Sequence, residues 1–166
     1  VGAGLGGGSS DAAFTLKGLN SLFSLGMSDE ELVKCAAEIG SDCPFFIHNT
    51  PMLGEGRGEI LSPIQSSSLD LLNSADSPHY IKVVTPDVHI STAQAYAGVT
   101  PCCEGSSIKE MISLPISQWK DHISNDFEKS IFKQYPSLQL EKEKLYDQGA
   151  IYVSMSGSGS ALFGIF

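Results

Sequence analysis

A chain of 166 residues, 42% of them hydrophobic, has enough apolar material for one domain or two small ones. Ten basic residues against nineteen acidic ones give a net charge of −9, which argues against a nucleic-acid partner, since nucleic acid calls for a basic face. An anionic small molecule stays open as a partner, because backbone N–H groups, a metal or one lysine can hold phosphate on an acidic protein.

The chain starts at Val1 on "VGAGLGGGSSDAA", in which five of the first eight residues are glycine. Such loops usually follow an anchoring strand, and none precedes this one, so the expectation is that further N-terminal sequence is missing. Ser9 or Ser10 can cap a helix, with Asp11 in its first turn at the positive end of the dipole. Ala12, Ala13, Leu16, Leu19, Leu22 and Phe23 recur at helical spacing, and Gly26 is a plausible stop. "SDEE" sets Ser28 and Glu31 in a capping box for a second helix, with Leu32, Val33, Ala36, Ala37 and Ile39 as its apolar side and Gly40 at its end.

"CPFFI" reads as a short buried strand, and "PMLGEGRGEILSP" as a hairpin turning through 54–58. "SSSLDLLNSADSPH", polar and broken by Ser and Pro, reads as the linker between domains at 1–76 and 77–166. "YIKVVTP" is a strand, "STAQAYAGV" a short helix capped by Ser91, and "PCCEGSS" a loop. Weak helices follow around 115–121, 124–134 and 137–147. "AIYVSMSGSGSALFGIF" closes the chain as two apolar strands about a glycine–serine turn. This order implies an α+β fold, with helices on one face of an antiparallel sheet in the C-terminal part.

No apolar run approaches the ~18 residues that span a bilayer, and no signal peptide is visible. Cys35, Cys43, Cys102 and Cys103 lack zinc-ligand spacing and read as reduced thiols of a cytoplasmic protein. The four histidines are scattered, so a metal cage of protein side chains is not expected.

Glycines bind phosphate because absent Cβ atoms let the backbone approach and point successive N–H groups at the anion. The competing reading is a merely flexible terminus. Gly2, Gly4 and Gly7 satisfy G-x-G-x-x-G, but the dinucleotide fingerprint needs a preceding strand and an acidic residue about 20 positions on, at a strand end. Asp29 and Glu30 fall in a helix-capping turn instead. The P-loop lysine is absent, since Lys17 lies within the first helix.

The longer string "GAGLGGGSSDAA" resembles the second motif of the GHMP small-molecule kinases, named for galactokinase, homoserine kinase, mevalonate kinase and phosphomevalonate kinase. "LNSLFSLGMSDEEL", "AAEIGSDCPFFI", "GRGEILSP", "ISNDFEKSIFKQYP" and "MSGSGSALFGIF" agree in order, so the resemblance spans essentially the whole chain. It implies a two-domain fold, with an incomplete N-terminal ATP-binding domain and a C-terminal antiparallel-sheet/helix sandwich. The missing strands would cover the two amphipathic helices, so an apolar face should lie open. Three glycines before the double serine point to the branch that uses ATP to phosphorylate the 2-hydroxyl of a cytidine-diphosphate-linked methylerythritol, in non-mevalonate isoprenoid precursor synthesis. Another kinase of the superfamily, or a non-catalytic nucleotide-binding fragment, is the alternative.

By that resemblance Asp42 is the general base, where the residues alone suggest a turn aspartate. Gly2, Ala3, Gly4, Leu5, Gly6, Gly7, Gly8, Ser9 and Ser10 bind ATP, with Ser10 a ligand of Mg²⁺. Asp11 reads as a first-turn carboxylate that stabilises the helix. Gly157, Ser158 and Gly159 pack beside the first loop and shape the substrate site, rather than forming only a hairpin turn. Tyr96 stacks on the cytosine ring, or is an ordinary core residue. The lysine expected to work with Asp42 is absent, so the fragment alone should be nearly inactive.

Overall fold

The computed structural model describes residues 2–56, 58–100 and 107–166. Two compact units emerge, one of Gly6–Gln65 and the other of Gly2–Leu5 with Ser66–Phe166. Cys102, Cys103 and the loop expected around them fall mostly outside the described residues, as does Val1.

In the first unit, α1 (Gly7–Leu22), α2 (Asp29–Ile39) and α3 (Cys43–His48) precede a hairpin of β1 (Met52–Glu55) and β2 (Ile60–Pro63). Neither Ser9 nor Ser10 caps α1. The cap is Gly6, at φ 66°, and both serines lie inside the helix, with Asp11 beyond its first turn. A left-handed residue turns the chain into the helix, and glycine adopts that conformation without Cβ strain. The helix stops at Leu22 rather than Gly26, and the Asn20 side chain binds both N–H and C=O of Met27, folding the connection back.

The Ser28–Glu31 capping box of α2 forms as expected. The expected strand "CPFFI" is instead α3. Pro44 fixes a helical φ in the first turn, where its missing N–H costs nothing, and Cys43 and Ile47 bury themselves one turn apart. Ala13, Leu32, Ala36, Cys43 and Ile47 make this unit's core. Outside it, Leu22 is 75% exposed and Phe23 64%, with Phe14, Leu25 and Ile39 also open. An apolar surface therefore lies uncovered, as the helix pattern implies.

The second compact unit takes in the chain from Ser66 onward. The supposed linker holds α4 (Ser67–Asn73), capped by Ser66. Ser66 and Ser68 donate their hydroxyls to Ile112 O and Leu114 O, 46 residues on, which ties the segment to this unit. Then come β3 (Ile81–Val84), α5 (Thr92–Ala97), α6 (Ile108–Ile112), a 3₁₀ turn at Ile116–Gln118, α7 (Trp119–His122), α8 (Glu128–Gln134), α9 (Pro136–Asp147), β4 (Tyr152–Met155) and β5 (Leu162–Ile165).

The sheet is antiparallel in the order β3-β5-β4. Side chains alternate across it. Val153, Met155 and Leu162 pack with Ala95, Ile131, Leu138 and Leu145 from α5, α8 and α9. Tyr152, Phe163 and Ile165 face the other way, onto Trp119, Ile116 and Leu69 and Leu72 of α4. Both faces are apolar, so both are covered. The expectation of helices on one face alone is corrected by that alternation.

Candidate functional site

The glycine loop crosses from one unit to the other between Leu5 and Gly6, and its two parts are built differently. In the second unit, Gly4 has φ 78°, and a Cβ there would stand 2.1 Å from Ser156 O. Ser156 Oγ donates to Gly4 O at 2.8 Å, and the Ala161 N–H donates to Ala3 O at 2.9 Å. A Cβ on Gly157, itself at φ 52°, would lie 3.2 Å from Gly4 O. The structure thus brings the two glycine stretches, 2–5 and 157–159, into direct backbone contact.

Gly159, at φ 89°, leaves no room for a side chain between Met155 Sδ and Ile90. Ser158 is half-buried on the same turn. Gly2, at φ 89°, lies beside the His89 ring.

In the first unit, Gly6 is again demanded by the protein. A Cβ there would meet the Phe46 ring at 2.8 Å. Gly7 and Gly8 differ. Both are helical and exposed, and a Cβ on either would meet nothing within 4 Å. Glycine is a poor residue for a helix, by about 1 kcal/mol against alanine, so neither fold nor packing accounts for this pair. The first helical hydrogen bond comes from Ser10 N–H to Gly6 O, leaving the N–H groups of Gly7, Gly8 and Ser9 ahead of the ladder at the positive end of a 16-residue helix. Such a helix end favours an anion, and it carries two small hydroxyl residues, Ser9 and Ser10, in its first turns.

Asp42 is the N-cap residue of α3, yet its carboxylate makes no capping bond. The turn-aspartate reading therefore lacks its hydrogen bond. The carboxylate is exposed, faces the hairpin turn at Gly58, and takes a long 3.5 Å contact from Ser41 Oγ. Asp42 and Phe46 are four residues apart in helical geometry, so their Cβ atoms sit roughly 5–6 Å apart on one side of α3. Phe46 walls Gly6, so Asp42 stands about one helical turn from the loop's wall. Lys17 takes no part in this. Its ammonium donates to Ile47 O at 2.6 Å, near the C-terminal end of α3.

Tyr96, on α5, is 62% exposed and is no core residue; it meets Phe127 edge-on at 5.0 Å. Among the described residues no cluster of His, Cys, Asp or Glu could hold a metal ion by itself.

Three residues outside the sequence-derived site belong to its frame: Ser156, Asn125 and Glu128. Ser156 directly precedes the second glycine stretch, and the other two lie in "ISNDFE". Nothing in residue type alone marks them, because their role depends on contacts about 30 residues or more away in the chain.

A family model described as the GHMP kinases N-terminal domain matches residues 1–50, and one described as the GHMP kinases C-terminal matches residues 108–166. The chain belongs to the GHMP kinase family.

Its relatives include the 4-diphosphocytidyl-2-C-methyl-D-erythritol kinase of Parabacteroides distasonis, 47% identical over 99% of this chain and 58% of that protein. The enzyme of the same name from Bacteroides fragilis (strain ATCC 25285) is 48% identical over 99% of this chain and 57% of its own length. A crystal structure of 4-(cytidine 5'-diphospho)-2C-methyl-D-erythritol kinase superposes with a TM-score of 0.78 at 31% identity, covering 98% of this chain and 57% of the other. The chain thus spans just under three-fifths of the length of each of these three.

Proposed function

We propose that this chain supplies the phosphate-binding loop and the proton acceptor of a kinase that transfers a phosphoryl group from ATP to the 2-hydroxyl of 4-diphosphocytidyl-2-C-methyl-D-erythritol. The observation that carries the reading is the Gly7–Gly8 pair, which the fold does not require and which a closely approaching phosphate would. The relatives' shared name supports the choice of substrate.

Phosphoryl transfer is mostly positioning and charge stabilisation. The N–H groups of Gly7, Gly8 and Ser9 would bind phosphate oxygens, and Gly2–Gly6 would set the loop's path. Ser10 Oγ would help hold Mg²⁺, whose charge, when bound, offsets that of the phosphates. Asp42 would accept the proton that the hydroxyl loses as its oxygen bonds to phosphorus and the bond to the departing nucleotide breaks. Its exposed carboxylate is free of capping duty. Tyr96 would stack on the cytosine ring, with Gly157, Ser158 and Gly159 bordering the substrate.

The reading carries with it non-mevalonate isoprenoid precursor synthesis in the cytoplasm, which the free thiols of Cys35 and Cys43 fit. Among the described residues no helix is long and apolar enough to cross a membrane. Neither ion pair found among the described residues involves Asp42.

The test is Asp42→Asn in catalytically active protein carrying this chain, assayed with the cytidylyl substrate. Turnover should fall by about 10²–10⁴-fold while ATP affinity and melting temperature hold. Unchanged turnover overturns the role of Asp42. Preferential turnover of mevalonate or homoserine overturns the substrate.

A further inference from the structure

β4 is an edge strand, and an edge leaves N–H and C=O groups that need partners from elsewhere. At its C-terminal end those partners are side chains from the start of α8. Glu128 Oε1 accepts the Met155 N–H at 2.7 Å and lies 3.4 Å from the Ser154 hydroxyl. Its other oxygen pairs with Lys142 Nζ at 2.6 Å, so a nearly buried carboxylate is locked in place.

Three residues earlier, the Asn125 amide donates to both Met155 O and Gly157 O at 2.8 Å. Its Oδ1 accepts the Phe127 N–H at 2.9 Å, which fixes the amide's orientation. Met155 is therefore held at both its N–H and its C=O. The next residue, Ser156, binds Gly4 O.

We infer that Asn125, acting on a strand end that Glu128 braces, is a positioning residue that sets the glycine loop through the β4–β5 turn. Asn125 holds the turn at two carbonyls, the turn holds Ala3 and Gly4 through Ala161 N–H and Ser156 Oγ, and Gly4 leads toward the start of α1. Every bond in this relay as far as Gly4 lies within the second unit. The functional half of the inference rests on the proposal that the loop binds ATP phosphates. Neither side chain needs to touch nucleotide.

The experiment compares Asn125→Ala, Asn125→Asp, Glu128→Gln and Leu138→Ala in the chain, with two readouts: the amide resonances of Gly4 and Ala161 without nucleotide, and ATP affinity. Asn125→Asp keeps the acceptor for Phe127 but loses the donor to both carbonyls, so both Asn125 variants should move the two resonances and weaken ATP roughly tenfold or more. Glu128→Gln retains an acceptor for Met155 N–H and should stay close to wild type. Leu138→Ala, in the buried core of the same unit, should lower the melting temperature yet leave both readouts near wild type.

Unmoved Gly4 and Ala161 resonances in Asn125→Ala overturn the inference, whatever ATP does. Equal effects from Leu138→Ala overturn it too, by showing that general destabilisation suffices. Moved resonances in a chain whose wild type binds no ATP uphold the relay and overturn the phosphate-loop reading instead.

Discussion

Gly4 and Gly6 differ from Gly7 and Gly8 in what requires them, although one short motif contains all four. The first pair adopts positive φ and touches Ser156 and Phe46 so closely that a methyl group has no place. The second pair is helical, exposed and free of neighbours. A residue that the fold demands says little about ligands, whereas one that the fold penalises and still contains points outward. Asp42 and Tyr96 belong with the second pair. One is an N-cap residue that makes no side-chain cap bond, and the other is a largely exposed aromatic ring that meets only Phe127 among the described aromatic residues.

The sharpest way to break this comparison is Gly4→Ala. It combines left-handed strain with a clash against backbone, and should cost roughly 2–6 kcal/mol of stability in thermal unfolding. A near-normal melting temperature would mean that the loop is free to move and that its contact with Ser156 is dispensable.

Tyr96→Ala comes next. Stacking on a base is worth about 1–3 kcal/mol, so KM for the cytidylyl substrate should rise well above any change in KM for ATP, in steady-state assays of active protein. Equal effects on both would return Tyr96 to a structural role.

Gly7→Ala is smaller in stability and opposite in sign. Unfolding should be unchanged, or shifted upward by up to about 1 kcal/mol, because alanine favours the helix and restricts the unfolded chain. ATP affinity, measured by titration calorimetry, should fall roughly tenfold, which is about 1.4 kcal/mol. A loss of stability with no change in affinity would erase the distinction between the two glycine pairs.

The least effect concerns the sheet edge. Burial pushes the pKa of Tyr146 and of Tyr152 above the ordinary tyrosine value of 10.0. The folded state thus keeps these protons where the unfolded chain loses them, so their contribution is complete below pH 10 and declines as pH rises beyond it. Denaturant midpoints taken from pH 9 to 11 should fall, and less steeply in the Tyr146→Phe, Tyr152→Phe double variant.

Much of this was readable before any coordinates. The Ser28–Glu31 box, the Ser91 cap, the β1–β2 hairpin and the two final strands depend on neighbours close in sequence, and all are present, although the hairpin's strand continues through Gly54, which pairs with Leu61, to Glu55. "CPFFI" was misread because a short apolar run fits a buried strand and a buried helix equally. The segment 67–73 was misread because its polar serines find partners that only folding brings near. The serines after the glycines looked like caps because nothing local reveals that Gly6 already makes the turn.

The sequence by itself determined the family motif, the order of most elements, and the residue types at the candidate site. Tertiary structure alone decided which glycines the fold requires and which it does not, because that depends on Ser156 and Phe46, atoms far along the chain. It also decided what Asn125 and Glu128 touch. Their hydrogen bonds reach 27 to 32 residues away, and local propensity carries no record of such distant contacts.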